Sequence, residues 1–288
     1  MKKIERPSYI TDEKLISFIH QAFREDVGDG DHSTLASIPY EAKNRARLLV
    51  KEDGVLAGVE LAEIVFSYLD PDLEFKALMS DGDVMKVGDI AFTIEGSAQS
   101  ILTAERLVLN IMQRMSGIAT LAKSMAKEVA GTKTKVLDTR KTTPNFRMIE
   151  KWAVVIGGAY NHRFGLYDMI MLKDNHIDYA GGIEKAVQKT RAYLKENNLD
   201  LKIEVETRNL EEVQQALDAQ VDRIMIDNFS IQNTKKAVDM IGDLAETEAS
   251  GGITLETLKQ VAETGVDFIS SGAIIHSAKN IDLSLKAF

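Results

Sequence analysis

Arg140 and Lys141 stand side by side in the stretch DTRKTTPNFR (138–147), straight after the apolar Val136 and Leu137. In a chain of formal net charge −9, cations crowded at the end of an apolar run ask for a local anion. The same chemistry recurs downstream. His162 and Arg163 follow in NHRFG, and Lys173 closes the apolar run MIML. Arginine presents a planar fork that meets a carboxylate through two bonds at once. Arg140, Lys141, His162, Arg163 and Lys173 together imply a ligand with more negative charge than one phosphate. The competing reading pairs them with Asp138, Asp168 and Asp174 as structural ion pairs.

Carboxylates and glycines form two further groups. Glu204 and Glu206 end LKIEVE (201–206), and Asp227 and Asn228 end DRIMIDN (222–228). Glu206 and Asp227 could bind sugar hydroxyls, hold Mg2+ near a pyrophosphate, or steady a developing cation. SGGI (250–253) and SSGA (270–273) put Ser250, Gly251, Gly252, Ser271 and Gly272 where strands turn into helices. Backbone N–H groups exposed at such a turn bind anions. One tight turn explains itself; two of them after the last two strands point to a phosphate. His162 and His176 do not match a zinc spacing, and His176 reads as structural. Trp152 and the methionines of MIML read as core. Arg147 lies beyond the cation pair, a turn into the following helix, and Pro144 marks that helix's start.

Such residues need a scaffold that gathers strand ends. After Gly131, strand-like runs at 135–140, 169–175, 201–206, 222–228, 244–250 and 267–272 alternate with amphipathic helices at about 145–157, 181–197, 209–219, 230–241 and 254–264. Repeated βα units mean a parallel sheet, whose strands all open their carboxyl ends on one face. Six strands fit a shortened or partly open (β/α) barrel. An open doubly wound sheet is the alternative, though no GxGxxG turn opens it. Upstream, a helix capped by Thr11 or Asp12, a polar loop EDVGDGDHST, four strand-like runs and a helix at 58–69 suggest a small sheet with helices on one face. A long helical region over 102–130 follows, which Gly117 can break into two helices.

Composition bounds the function. The chain has 288 residues, 44% hydrophobic and 27% charged, as a globular protein of one or two domains has. Its acidic balance argues against nucleic acid. The absence of cysteine removes disulfides, thiolate metal sites and a cysteine nucleophile, and fits a reducing cytoplasm. Lys2 and Lys3 have no apolar run behind them, so no signal peptide is expected, and no run is apolar for long enough to span a membrane.

In this order EDVGDGDHST (25–34), AERLVLNIMQRMSGIAT (104–120), LDTRKTTP (137–144), EKWAVVIGGAYNHRFGLYDMIMLKDNH (150–176), EVET (204–207), IDNF (226–229), SGGI (250–253) and SGAIIHSA (271–278) resemble the motifs of the quinolinate phosphoribosyltransferases over nearly the whole chain. The resemblance implies an N-terminal α/β sandwich-like domain over 1–115, with the 277–288 tail packed back on it, and a shortened α/β barrel over 116–276. It implies a homodimer or higher assembly in which Arg106 of one copy completes the other's site. Arg106, Arg140, Lys141, His162, Arg163 and Lys173 would surround the two carboxylates of quinolinate. Glu206 and Asp227 would take the ribose hydroxyls and the Mg2+-bearing side of phosphoribosyl pyrophosphate, and the two glycine turns its 5-phosphate. Lys141, Lys173, Glu206 and Asp227 are the expected catalytic group, and Mg2+ the expected cofactor. The chain departs from the usual pattern at Asn145-Phe146, where Gly-Leu is common, and at Trp152, where Tyr is frequent. Related phosphoribosyltransferases of the molybdenum-transport-associated type, and a Schiff-base aldolase using Lys173, are the alternatives.

Overall fold

The structure, a computed structural model, describes residues 4–288, so Lys2 and Lys3 lie outside the described residues. In chain order its elements are α1 (Asp12–Asp26), α2 (His32–Ser37), β1 (Lys43–Val50), β2 (Gly54–Val55), α3 (Val59–Leu69), β3 (Glu74–Ala77), β4 (Val84–Met85), β5 (Ile90–Ser97) and α4 (Ala98–Glu128). Then come β6 (Lys135–Leu137), α5 (Arg147–Ile156), β7 (Ile170–Leu172), α6 (Asp174–Ala180), α7 (Ile183–Glu196), β8 (Ile203–Thr207), α8 (Leu210–Asp218) and β9 (Arg223–Asp227). The chain closes with α9 (Ile231–Ile241), β10 (Glu246–Ser250), α10 (Leu255–Ala262), β11 (Phe268–Ser270), α11 (Ala273–His276) and β12 (Leu283–Ala287). These elements form two compact units.

The first unit comprises the chain up to Lys123, Thr142–Gly158 and Ser277–Phe288. Its main sheet has the order β12-β1-β5-β3 and is antiparallel throughout. Alternation on β1 turns Ala46, Leu48 and Val50 inward, as one buried face requires. Phe66 of α3 meets Phe92 of β5 edge-on at 6.0 Å, which seats the helix on the sheet. The Asp81 carboxylate accepts the first N–H groups of α3, from Gly58 at 2.6 Å and Val59 at 2.9 Å.

Two expectations are corrected here. Gly117 does not break the long helix: α4 runs continuously through it. A Cβ there would collide with the Lys279 carbonyl oxygen, so glycine lets the returning tail cross the helix. By compactness the first unit takes in the segment around α5 and extends along α4 to Lys123, past the expected division at 115/116. Glu150 on α5 is fully buried, accepts two N–H bonds from Arg114 of α4 at 2.8 and 2.9 Å, and takes the Thr143 amide at 2.8 Å. Trp152 is buried beside it in the same helix, in the core as expected. Pro144 lies before the helix rather than at its first position. It sits inside a turn closed by the Phe146 amide on the Thr143 carbonyl, at 3.1 Å, and α5 starts only at Arg147.

The second unit comprises Ser124–Lys141 and Ala159–His276. Its sheet is parallel and has the order β6-β11-β10-β9-β8-β7. Each strand after β7 lies beside its predecessor, and the last returns to the first. That is the cyclic order of a barrel lacking one closing pair, whereas a doubly wound sheet reverses direction at a switch point. The open doubly wound alternative is thereby set aside. All six strands of the sequence reading are present. The short helix α6 was hidden in DNHIDYA, directly behind the strand end that carries Lys173.

Candidate active site

The carboxyl ends of the parallel strands enclose a cavity of about 800 Å³. Arg140 and Lys141 follow β6, Lys173 follows β7, Glu206 lies on β8 and Asp227 ends β9. Ser250, Gly251 and Gly252 follow from β10, Ser271 and Gly272 from β11, and His162 and Arg163 reach the wall just after Tyr160 bridges Leu137 on the edge of β6. Every expected site residue except Arg106 therefore lines one cavity. Arg106 is exposed on α4, in the first unit.

The cationic wall is under-compensated. Arg140 Nε is buried without a hydrogen-bond partner among the described residues. Arg163 donates to the Met169 carbonyl at 3.1 Å. Burial lowers the Arg163 pKa, and the charge of Arg140 lowers it further, against weaker help from Glu204 and Asp168. Two guanidiniums that repel each other in a partly buried cavity are stabilised by an anion between them. Lys173 pairs with Glu206 at 3.3 Å, half-exposed at the mouth. His176 is structural, as expected: its Nδ1 accepts the Lys173 amide at 2.9 Å and caps α6.

The opposite wall is built from main chain. Gly251 (φ +93°) and Gly252 (φ +61°) turn β10 away from the sheet, and Asn228 crosses so close to Gly251 that a Cβ would strike its side chain. At Gly272 a Cβ would lie 2.8 Å from Lys141 Cδ, so the missing side chain lets the lysine pass. Asp227 accepts from the Asn228 amide group at 2.7 Å. Between the two walls lie Met171 and Met225. Met171 is thus part of the cavity wall and not simply core.

Beneath the mouth lies a charged layer. His162 Nε2 is 3.2 Å from Glu204 and 3.2 Å from Glu248, and both carboxylates are fully buried. Arg223 donates to Glu248 at 3.0 Å and stacks on Phe268 at 4.0 Å. Burial alone would lower the His162 pKa, but hydrogen bonds and charge from the two glutamates outweigh it and raise the value to about 9. In the neutral ring Nδ1 accepts the Arg163 amide at 2.6 Å and the proton lies on Nε2, toward the glutamates; in the charged ring Nδ1 carries a proton of its own and this bond is given up. Burial and the neighbouring Glu248 push Glu204 up, whereas contacts with His162, Ser270 and Arg223 overcome burial and hold Glu248 down. Asp138, also buried, accepts the His162 amide at 2.8 Å and the Asn161 side chain at 2.7 Å.

Sequence reasoning missed Thr139, Thr254 and His276 on the cavity wall, and the depth of Glu204 and Glu248. Thr139 precedes Arg140, Thr254 lies two residues after Gly252, and His276 lies one helical turn after Gly272. The signal for the glutamates was charge at every second position of strands that a parallel sheet buries on both faces.

A (β/α) barrel with cations, carboxylates and glycine turns at the strand ends defines an enzyme for anionic, phosphate-bearing substrates. The family models described as quinolinate phosphoribosyl transferase, N-terminal domain, and quinolinate phosphoribosyl transferase, C-terminal domain, match residues 31–116 and 118–286. The chain belongs to the quinolinate phosphoribosyltransferase family, whose members are decarboxylating phosphoribosyltransferases. It is 46% identical to the chloroplastic nicotinate-nucleotide pyrophosphorylase (carboxylating) of Arabidopsis thaliana, over 98% of this chain and 85% of that one. Among solved structures, NadC of Streptococcus pyogenes aligns with a TM-score of 0.91 at 39% identity, covering 97% and 99% of the two chains. The nicotinate-nucleotide pyrophosphorylase of Francisella tularensis aligns with the same score at 37% identity, over the full length of both.

Proposed function

We propose that the chain joins quinolinate to phosphoribosyl pyrophosphate and releases nicotinate mononucleotide, pyrophosphate and CO2, a step of NAD synthesis. The observation that carries this reading is the partly buried, mutually repelling pair Arg140 and Arg163, with Arg140 Nε unpartnered. With Lys141 and Lys173 they fit a dianion. The glycine turns after β10 and β11 fit the 5-phosphate, and Glu206 and Asp227 the ribose hydroxyls. In this arrangement the pyridine nitrogen displaces pyrophosphate at the anomeric carbon, and Glu206 and Asp227 steady the positive charge that develops on the ribose. The C2–carboxylate bond then breaks to release CO2, its electron pair stays at C2 beside the quaternised nitrogen, and C2 takes up a proton from solvent. Met171 and Met225 offer an apolar surface that favours the loss of charge.

Glu206 and Asp227 are oxygen donors on adjacent strands, the donor type that suits Mg2+. Bound there with pyrophosphate, the ion would neutralise charge on the leaving group. Arg106 supplied by a second copy completes the quinolinate site in this proposal, so the functional unit is a homodimer or larger. A cytoplasmic location is supported by the cysteine-free composition, while some relatives are described as chloroplastic or mitochondrial. Among the described residues no helix is long and apolar enough to cross a membrane.

The test is direct. Purified protein is given phosphoribosyl pyrophosphate, Mg2+ and either quinolinate or nicotinate, and CO2 and nicotinate mononucleotide are measured. Product from quinolinate and none from nicotinate is expected; no product from quinolinate would sink the assignment.

A further inference from the structure

The interior of a (β/α) barrel is ordinarily filled with branched apolar side chains. Here the layer directly below the cavity holds Glu204, Glu248, His162 and Arg223 instead. Residues two apart on a strand share a face, so Glu204 sits one layer beneath Glu206, and Glu248 one layer beneath Ser250. Buried carboxylates are retained at a cost unless they are partnered, and replacing them with apolar groups is often harmless to stability. Neither Glu204 oxygen makes a well-aligned hydrogen bond among the described residues, and its ion pair there is with His162 Nε2, 3.2 Å from Oε2, so that carboxylate is spent mainly on the imidazole.

The geometry points to Glu204 and Glu248 as positioning residues that clamp the His162 Nε2–H between them and so preform the quinolinate side of the cavity. The clamp acts through a short chain of contacts. The glutamates hold the ring from below in either protonation state, Asp138 holds the His162 amide at 2.8 Å, and in the neutral ring Nδ1 also takes the Arg163 amide at 2.6 Å. Ring and backbone are both fixed, so Arg163 leaves the segment in one direction. Arg223 keeps Glu248 in place from the far side, at 3.0 Å. With Nε2 turned to the glutamates, His162 serves the cavity by orienting its neighbour rather than by offering that nitrogen to the substrate. The inference rests on the reading of this cavity as the quinolinate site.

Two measurements test it. In wild-type protein with labelled histidine, nuclear magnetic resonance should show a proton on His162 Nε2 that exchanges slowly and shifts in Glu204→Gln and Glu248→Gln. The signal is assigned by its absence from His162→Gln. A ring without that proton, or a stoichiometric metal found in the purified protein by elemental analysis, overturns the clamp. Steady-state kinetics supply the second readout. Each Glu→Gln variant should raise KM for quinolinate about tenfold while leaving KM for phosphoribosyl pyrophosphate within roughly twofold. Glutamine keeps an acceptor for Nε2–H, so it should retain more activity than Glu→Leu at the same position. Lowered thermal stability with both KM values unchanged would mean a purely structural cluster and would overturn the proposal. If one variant fails to fold, the other and the wild-type spectrum still decide. Wild-type protein inactive on quinolinate would instead defeat the assignment of the cavity, an outcome the resonance experiment does not depend on.

Discussion

Arg140 and Arg163 illustrate the conflict between a residue's contribution to folding and its contribution to function. Arg163 is partly withdrawn from water beside Arg140, with only weaker help from Glu204 and Asp168, and Arg140 Nε is buried without a hydrogen-bond partner among the described residues. Arg140→Met should therefore leave the melting temperature of the ligand-free protein unchanged or raised, while kcat/KM for quinolinate falls by about 100-fold; calorimetry and initial rates check this together. A drop in stability without loss of activity would contradict it. His162 behaves in the opposite way. Its pKa is raised in the fold, so its contribution to stability is complete below pH 6.5 and is lost as pH rises through about 9. Thermal unfolding followed across that window should show wild type losing stability and His162→Gln following a flatter curve. The cations themselves were legible in the sequence, because each ends an apolar run. What could not be read was which of them is spent inward. His162 and Arg163 are neighbours, yet one faces two buried carboxylates and the other the cavity. Only the barrel's curvature brings Glu204 and Glu248, on strands separated by β9, to the same imidazole.

The elements show what glycine and asparagine contribute. Gly117→Ala should cost about 1–3 kcal/mol, because the added methyl meets backbone and not a flexible side chain. Denaturant unfolding measures it. Asn145 stands where the motif resemblance leads glycine to be expected, and it adopts φ +61°, a left-handed conformation that asparagine tolerates better than most residues. Asn145→Gly should thus be neutral or slightly stabilising, and Asn145→Ala should cost roughly 1 kcal/mol. At Gly272 the crowded atom is the flexible Lys141 side chain, so Gly272→Ala should fold normally yet raise KM for phosphoribosyl pyrophosphate or quinolinate about tenfold. The regular βα units were legible from periodicity alone. The unbroken course of α4 was not, since a glycine that ends one helix and a glycine that admits a crossing chain look alike until the crossing chain is seen. Membership of α5 was equally hidden: its amphipathic pattern says that one face is buried, not against which neighbours.

At the scale of the whole molecule, the proposed sharing of Arg106 makes activity a property of the assembly. Arg106→Ala and Lys141→Ala proteins should each be inactive, and a mixture allowed to exchange subunits should recover part of the wild-type rate. No recovery, with mixed assemblies demonstrated, would place Arg106 outside the site. The order in which the chain is made has a further consequence for folding. The first unit takes its opening strand, β1, from residues 43–50 and a neighbouring strand, β12, from residues 283–287. A ribosome delivering this protein therefore exposes one edge of β1 for most of the synthesis, and every segment of the barrel emerges before that edge is covered. Closure over such a sequence separation is slow, and the waiting edge is a template for misplaced strands. Residues 283–287 thus act as the latch on β1, and that edge stays open until they emerge.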